Sequence, residues 1–213
     1  MAEVAAPADA GGHEGATIFR SIGELAELCG HYCWVERRLF EVTGSRASRP
    51  LGEPGVGGSG AGDAEVRVVL SQMSARHGFF AAQWRDRLPV RAGVEAEALV
   101  VPPPGPFGQA LDLIESGPGL AHVLGGLVTE VLPRLVEHYD RHLAQASPVS
   151  EAPVRAVLEW AAVSTGREIR VAGLLLHRLV PGGEGARSVG DFGALVQRLF
   201  GGPTDSFPGA RAS

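Results

Sequence analysis

Hydrophobic positions recur with helical spacing in four long stretches of this chain. With successive residues turning by about 100°, Val66, Leu70, Met73, His77, Phe80, Ala81, Trp84 and Leu88 share one face. The same spacing groups Ile22, Leu25, Cys29, Tyr32, Glu36, Leu39 and Phe40. It groups Leu120, Leu124, Leu127, Val128, Val131, Leu135, His138 and His142 in a third stretch. In the fourth it groups Val154, Val157, Ala161, Ser164, Thr165, Glu168, Val171, Ala172, Leu175 and Leu179. The pattern predicts helices over about residues 18–43, 64–88, 118–146 and 151–179. Each inner stripe carries polar groups among apolar ones: Glu36, His77, His138 with His142, and Glu168.

The segments between the stripes set the topology. Gly44 reads as a helix stop, and a Pro- and Gly-rich connection over 45–63 leads to Asp63 as N-cap of the second helix. Pro89 stops that helix, and a long connection follows over 89–117. Within it the spacing of Phe107, Leu111 and Ile114 suggests a short helix, and the run Ala98-Leu99-Val100-Val101 resembles a strand. A crossover of this length makes the second and third helices parallel. Pro133 should kink the third helix. The short turn over 147–151, with Ser150 as cap, makes the third and fourth helices antiparallel. The fourth helix is apolar on several sides and needs extra cover. A short C-terminal helix bearing Phe192, Leu195, Val196 and Leu199 can supply it, as can a second subunit in a homodimer. Residues 1–16 read as a disordered leader, 17–200 as one helical domain, and 201–213 as a disordered tail.

Composition narrows the classes. The 213 residues suffice for one domain with a sizeable core. A net charge of −5 argues against nucleic-acid binding, which needs a concentrated basic surface. No apolar run reaches the ~20 residues of a membrane span, and the N-terminus lacks the pattern of a signal peptide. The two cysteines, Cys29 and Cys33, are neighbours on one helix and read as buried thiols, which fits a cytoplasmic setting.

Four helices, a long crossover and inward Glu and His together resemble the ferritin-like superfamily, over about residues 18–179. The resemblance implies an all-α ferritin-like bundle. It also implies a metal centre of iron or manganese built from one Glu on each of two helices and Glu-x-x-His on the other two. Carried onto this chain, the candidate ligands are Glu36, His77 and Glu168, with His138 or His142 completing the set. Ser74 stands where a glutamate belongs, three residues before His77, and Val171 stands where a histidine belongs, three after Glu168. The third helix has no inward glutamate, since Glu130 and Glu137 project away.

Two functions follow. The resemblance implies an oxidoreductase using metal and oxygen to hydroxylate or N-oxygenate a small metabolite. The departures at Ser74 and Val171 favour the alternative, a metal-free bundle that binds a small apolar ligand or a protein partner. Without metal, Glu36 and Glu168 would pair with an arginine at the stripe margins, among Arg76, Arg167 and Arg37. His77 would then be a satisfied core histidine, and His138 and His142 partners of the helix C-terminus or a surface pair.

Overall fold

The computed structural model describes residues 17–49, 61–90, 93 and 95–201. The leader, most of the first connection and the tail from residue 202 lie outside the described residues. The four amphipathic stretches are helices: α1 (Ile22–Ser48), α2 (Ala61–Arg85), α4 (Leu120–Gly126) continued through a π turn (Leu127–Val131) into α5 (Leu132–Gln145), and α6 (Ala152–Leu179). The short α3 (Phe107–Glu115) and the C-terminal α7 (Gly183–Phe200) complete an all-α fold of six helices among the described residues, with α4 and α5 counted as one. None of them is long and apolar enough to cross a membrane.

Local chemistry sets most boundaries. Ser21 starts α1 with a capping box: Glu24 N–H donates to Ser21 Oγ, and Ser21 N–H donates to the Glu24 carboxylate. Gly44 does not end α1, contrary to the sequence expectation. It gives room to α2 instead, since a Cβ there would lie 2.8 Å from Ser74 Oγ. α2 begins ahead of Asp63, which sits in the first turn where its charge favours the helix dipole. Glu151, not Ser150, is the N-cap residue of α6. Three arginines satisfy helix C-termini. Arg46 donates to the carbonyls of Glu115 and Gly117 at the end of α3, Arg67 to those of Ala47 and Arg49 at the end of α1, and Arg155 to those of Leu143 and Ala146 at the end of α5.

Side-chain register fixes the helix directions. Cys33 meets Ala81, Glu36 meets His77, and Ser74 meets Phe40, so α1 and α2 are antiparallel. Tyr32 meets His142 and Glu36 meets Tyr139, so α1 and α5 are antiparallel too. α2 and α5 therefore run parallel, as the long crossover requires. Arg76–Glu168 and the Glu65–Arg178 pair make α6 antiparallel to α2, while His142–Glu151 and Arg155–Leu143 make it antiparallel to α5.

The crossover departs from the strand expectation. Residues 96–99 form a 3₁₀ turn, and no strand occurs among the described residues. The turn lies against α1 at Gly30, where an added Cβ would sit 2.0 Å from the Leu99 carbonyl oxygen. His31 Nδ1 bonds the Val101 carbonyl at 3.0 Å, and Arg37 pairs with Glu97 on the same stretch. Proline is handled by the π turn. Leu132 N–H reaches back five residues to the Leu127 carbonyl, which widens the helix just before Pro133, where a tight α turn would clash.

α7 does not cover α6. It packs on α3 and α4, with Phe200 against Phe107 at 5.3 Å between centroids and Arg134 over the Phe200 ring. Val163, Val171 and Leu174 of α6 are left exposed, at 72%, 51% and 73%.

Gly30→Ala should force the crossover off α1. Its expected cost is about 2 kcal/mol or more, a fall of roughly 4–8 °C in melting temperature. Gly173→Ala, on α6 where an added Cβ meets nothing within 4 Å, should be neutral or slightly stabilising in the same thermal melt.

Candidate functional site

Helical spacing turns Glu36 of α1, His77 of α2 and Glu168 of α6 into one core layer, and all three are buried. His77 is the centre. Its Nδ1 lies 2.5 Å from Glu36 Oε2, and its Nε2 lies 3.3 Å from Glu168 Oε2. The second contact is an ion pair too poorly aligned for a hydrogen bond. The outer oxygens of both carboxylates are also engaged. Tyr139 O–H donates to Glu36 Oε1 at 2.6 Å, and Arg76 Nη1 donates to Glu168 Oε1 at 2.5 Å. Burial alone would drive the His77 proton off, but the two carboxylates together outweigh it and hold the ring at about 10. The ring is therefore an imidazolium at neutral pH, with Nδ1–H donating to Glu36 and Nε2 facing Glu168 without a hydrogen bond. Burial and the adjacent Glu36 carboxylate keep Tyr139 neutral far above the usual phenol range.

His138 and His142 do not join this layer. His142 belongs to a second polar cluster, towards the α5–α6 turn. Its Nε2 lies 3.0 Å from Glu151 Oε2, and its Nδ1 lies 3.3 Å from the Tyr32 hydroxyl. Burial lowers His142 to about 4, so the ring is neutral at pH 7. The partners select its tautomer: Nε2–H donates to the carboxylate and Nδ1 accepts from Tyr32. Glu151 also accepts from Ser147 N–H at 3.3 Å and pairs with Arg20 at 3.6 Å. His138 packs against Phe107, and burial with nearby Arg141 lowers it to about 4 as well. Between the clusters lies an aromatic layer in which Tyr32 contacts both Trp84 and Tyr139, at 4.8 and 5.0 Å between centroids.

The sequence-predicted ligands thus divide. Glu36, His77 and Glu168 converge, whereas His138 and His142 lie apart from them. The contacts that form are imidazole–carboxylate pairs: Glu36 engages Nδ1, while Nε2 and Glu168 Oε2 face each other at 3.3 Å without a hydrogen bond. The two acids flank the ring from opposite sides instead of meeting across a shared gap. Among the described residues, no group of three or more His, Cys, Asp or Glu side chains is arranged to hold a metal ion. Val171 does not take up a ligand position, because it points out of the core and lines a surface groove. Ser74 donates to the Phe40 carbonyl at 2.9 Å. The cysteines are free and buried, and burial pushes the Cys29 thiol up to about 12.

Arg76 was visible from its place beside the inner stripe, and it is the arginine that pairs with Glu168. Tyr139 was not visible. The π turn holds about one residue more than an α turn, so it delays the inner face by roughly one position. Tyr139, not His138, then arrives opposite Glu36. Glu151 closes the turn expected over 147–151, and it is buried beside Arg20 and His142.

The groove lined by Val171 lies on the outer side of α2 and α6. It measures about 620 Å³ and is lined by Ala64, Val68, Val69, Val171, Leu174 and Leu175, with Glu65 and Arg178 paired at its far end. Comparison with protein-family models, curated proteins and solved structures found no match.

The two histidines give the stability curve opposite slopes. His77 binds its proton more tightly folded than unfolded, so its contribution is complete below about pH 6.5 and is lost as pH rises towards 10. His142 and His138 bind theirs less tightly when folded, so their contribution is complete above about pH 6.5 and is lost as pH falls towards 4. Thermal melts from pH 4 to 10 should peak near neutrality and drop by roughly 4–8 °C on the alkaline side, for about 2 kcal/mol or more. His77→Gln should be destabilised at pH 7 and lack the alkaline decline. In the parent, imidazole ¹⁵N shifts should find His77 doubly protonated at pH 8 and His142 singly protonated. A neutral His77 at that pH would sink the assignment.

Proposed function

We propose that this chain is a ferritin-like bundle whose interior holds a charge-compensated ion network in place of a metal centre, and that it binds a small apolar ligand in the α2–α6 groove. The bundle assignment is supported by the helix directions: α1 antiparallel to α2, a long crossover, α5 parallel to α2, and α6 antiparallel to α5. The observation that supports the metal-free reading is that His77 sits between two carboxylates and that, among the described residues, no third donor side chain joins Nε2 and Glu168. With Arg76 included, two negative charges face two positive ones.

Ligand binding then belongs to the surface. The groove has the volume range of small-molecule sites and an almost wholly apolar lining, and its exposed Val68, Val171 and Leu174 have no cover among the described residues. Exposed side chains of this size on one helix pair are more than scattered surface hydrophobics.

Titration with Nile red, a neutral apolar dye, tests the groove. The parent should bind it, and Val171→Asp or Leu174→Asp should weaken binding about 10-fold or more while leaving the fold intact, because both positions are exposed. Metal analysis and melts with iron(II) or manganese(II) test the interior. Neither ion should copurify near one equivalent or raise the melting temperature. Stoichiometric metal with a raised melt would return the oxygenase reading to the front, and dye binding indifferent to both substitutions would remove the groove.

A further inference from the structure

The apolar groove does not end blindly. At the end away from Glu65 and Arg178 it adjoins a smaller cavity of about 170 Å³, which shares Val69 and Val171 with it and adds Gln72, Arg76, Arg167 and Glu168. The two spaces share a wall at Val69 and Val171, which sets a polar end beside the apolar trough. That arrangement suits an amphipathic molecule lying along the helices, and the charge at the polar end decides which head group it accepts.

That charge can be counted from the ion network. Glu36 and Glu168 are balanced by the His77 imidazolium and Arg76. Arg167 is exposed and makes no ion pair among the described residues. The polar end therefore carries one surplus positive charge. Arg76 gives Glu168 a single nitrogen, Nη1, which leaves its other N–H groups for the cavity that it lines. Arg76 also stands between the Glu168 carboxylate and solvent, since it is 35% exposed and the acid 2%. The far end of the trough is charge-neutral, because Glu65 and Arg178 satisfy each other.

We propose that the groove takes a medium-chain carboxylate, its tail between Val68, Val171 and Leu174 and its carboxylate on Arg167 and the free edge of Arg76. This rests on the groove being a ligand site and adds the class and orientation of the ligand. A guanidinium meets a carboxylate through paired N–H donors, so the head group gains direction as well as charge. The trough is open on one side, so each added pair of methylenes should tighten binding only about 3–4-fold, less than full burial would give.

The test is isothermal titration of the full chain with decanoate, 1-decanol and decylammonium, each below its aggregation limit. The parent should bind decanoate about 10-fold more tightly than decanol, and decylammonium most weakly. Arg167→Gln should lower decanoate affinity about 5–10-fold and leave decanol unchanged, whereas Val171→Asp should weaken both. Octanoate should bind about 3–4-fold more weakly than decanoate. Equal affinity for decanoate and decanol in the parent, or an Arg167→Gln variant that keeps the parent's full preference for decanoate, would overturn the carboxylate assignment and leave the apolar groove standing. If no amphiphile binds the parent, both fall. A dimer in sedimentation that persists at saturating decanoate and dissociates in Val171→Asp would assign the groove to a second copy of this chain and overturn the proposal.

Discussion

An imidazolium sealed between two carboxylates is stable only as a set. Removing His77 leaves Glu36 with only the Tyr139 hydroxyl and Glu168 with Arg76 alone, and removing either acid leaves the ring half paired in a site where its own burial opposes the charge. Each of the three helices that supply this set can present its group only at one register and one rotation. A one-residue slip of α2 against α1 would carry His77 about 100° away from Glu36. Apolar packing alone would tolerate several neighbouring registers, and the ion network does not. Its role in the fold is therefore selection among similar packings as much as stabilisation.

The same residue type takes two charge states within one bundle, and neighbours decide which. His77 has acids on both nitrogens and is charged. His142 has one acid and one phenol, with Arg20 beyond the acid, and is neutral. Their aromatic partition of Tyr32, Trp84 and Tyr139 keeps the two environments apart.

Much of the fold was legible because helical periodicity survives in sequence. The core positions Val66, Leu70, Met73, His77, Phe80 and Trp84 of α2 were read correctly, although the helix ends at Arg85 and buried Leu88 lies past it, and the short α3 and the parallel course of the second and third helices were legible too. So was the convergence of Glu36, His77 and Glu168, which needs only four stripes and a topology. What escaped depended on contacts between distant segments. The run Ala98-Leu99-Val100-Val101 has strand composition, but Gly30 of α1 admits its backbone as a 3₁₀ turn. Val171 sits beside Ala172 in sequence, and a rotation of one residue separates the core from the surface groove. Tyr139 was hidden by the π turn before Pro133, which shifts the phase of everything after it. The cover for α6 was misplaced because the C-terminal helix is amphipathic in a way that fits either neighbour, and the aromatic pocket around Phe107 and Phe200 settled it on α3 and α4.

Sequence separation within the ion network bears on how the chain folds. Glu36 and His77 lie 41 residues apart, on an antiparallel hairpin that can assemble early, whereas Glu36 and Tyr139 are separated by 103 and Arg76 and Glu168 by 92. The α5–α6 hairpin is likewise local, joined through His142 and Glu151 only nine residues apart. Closing the long loops is the slow, entropically costly step. Until the two hairpins dock, His77 has one acid instead of two and Tyr139 has no carboxylate to meet. Completion of the network thus coincides with docking, so a mispaired assembly of the two halves would carry unbalanced charge in its core and reopen.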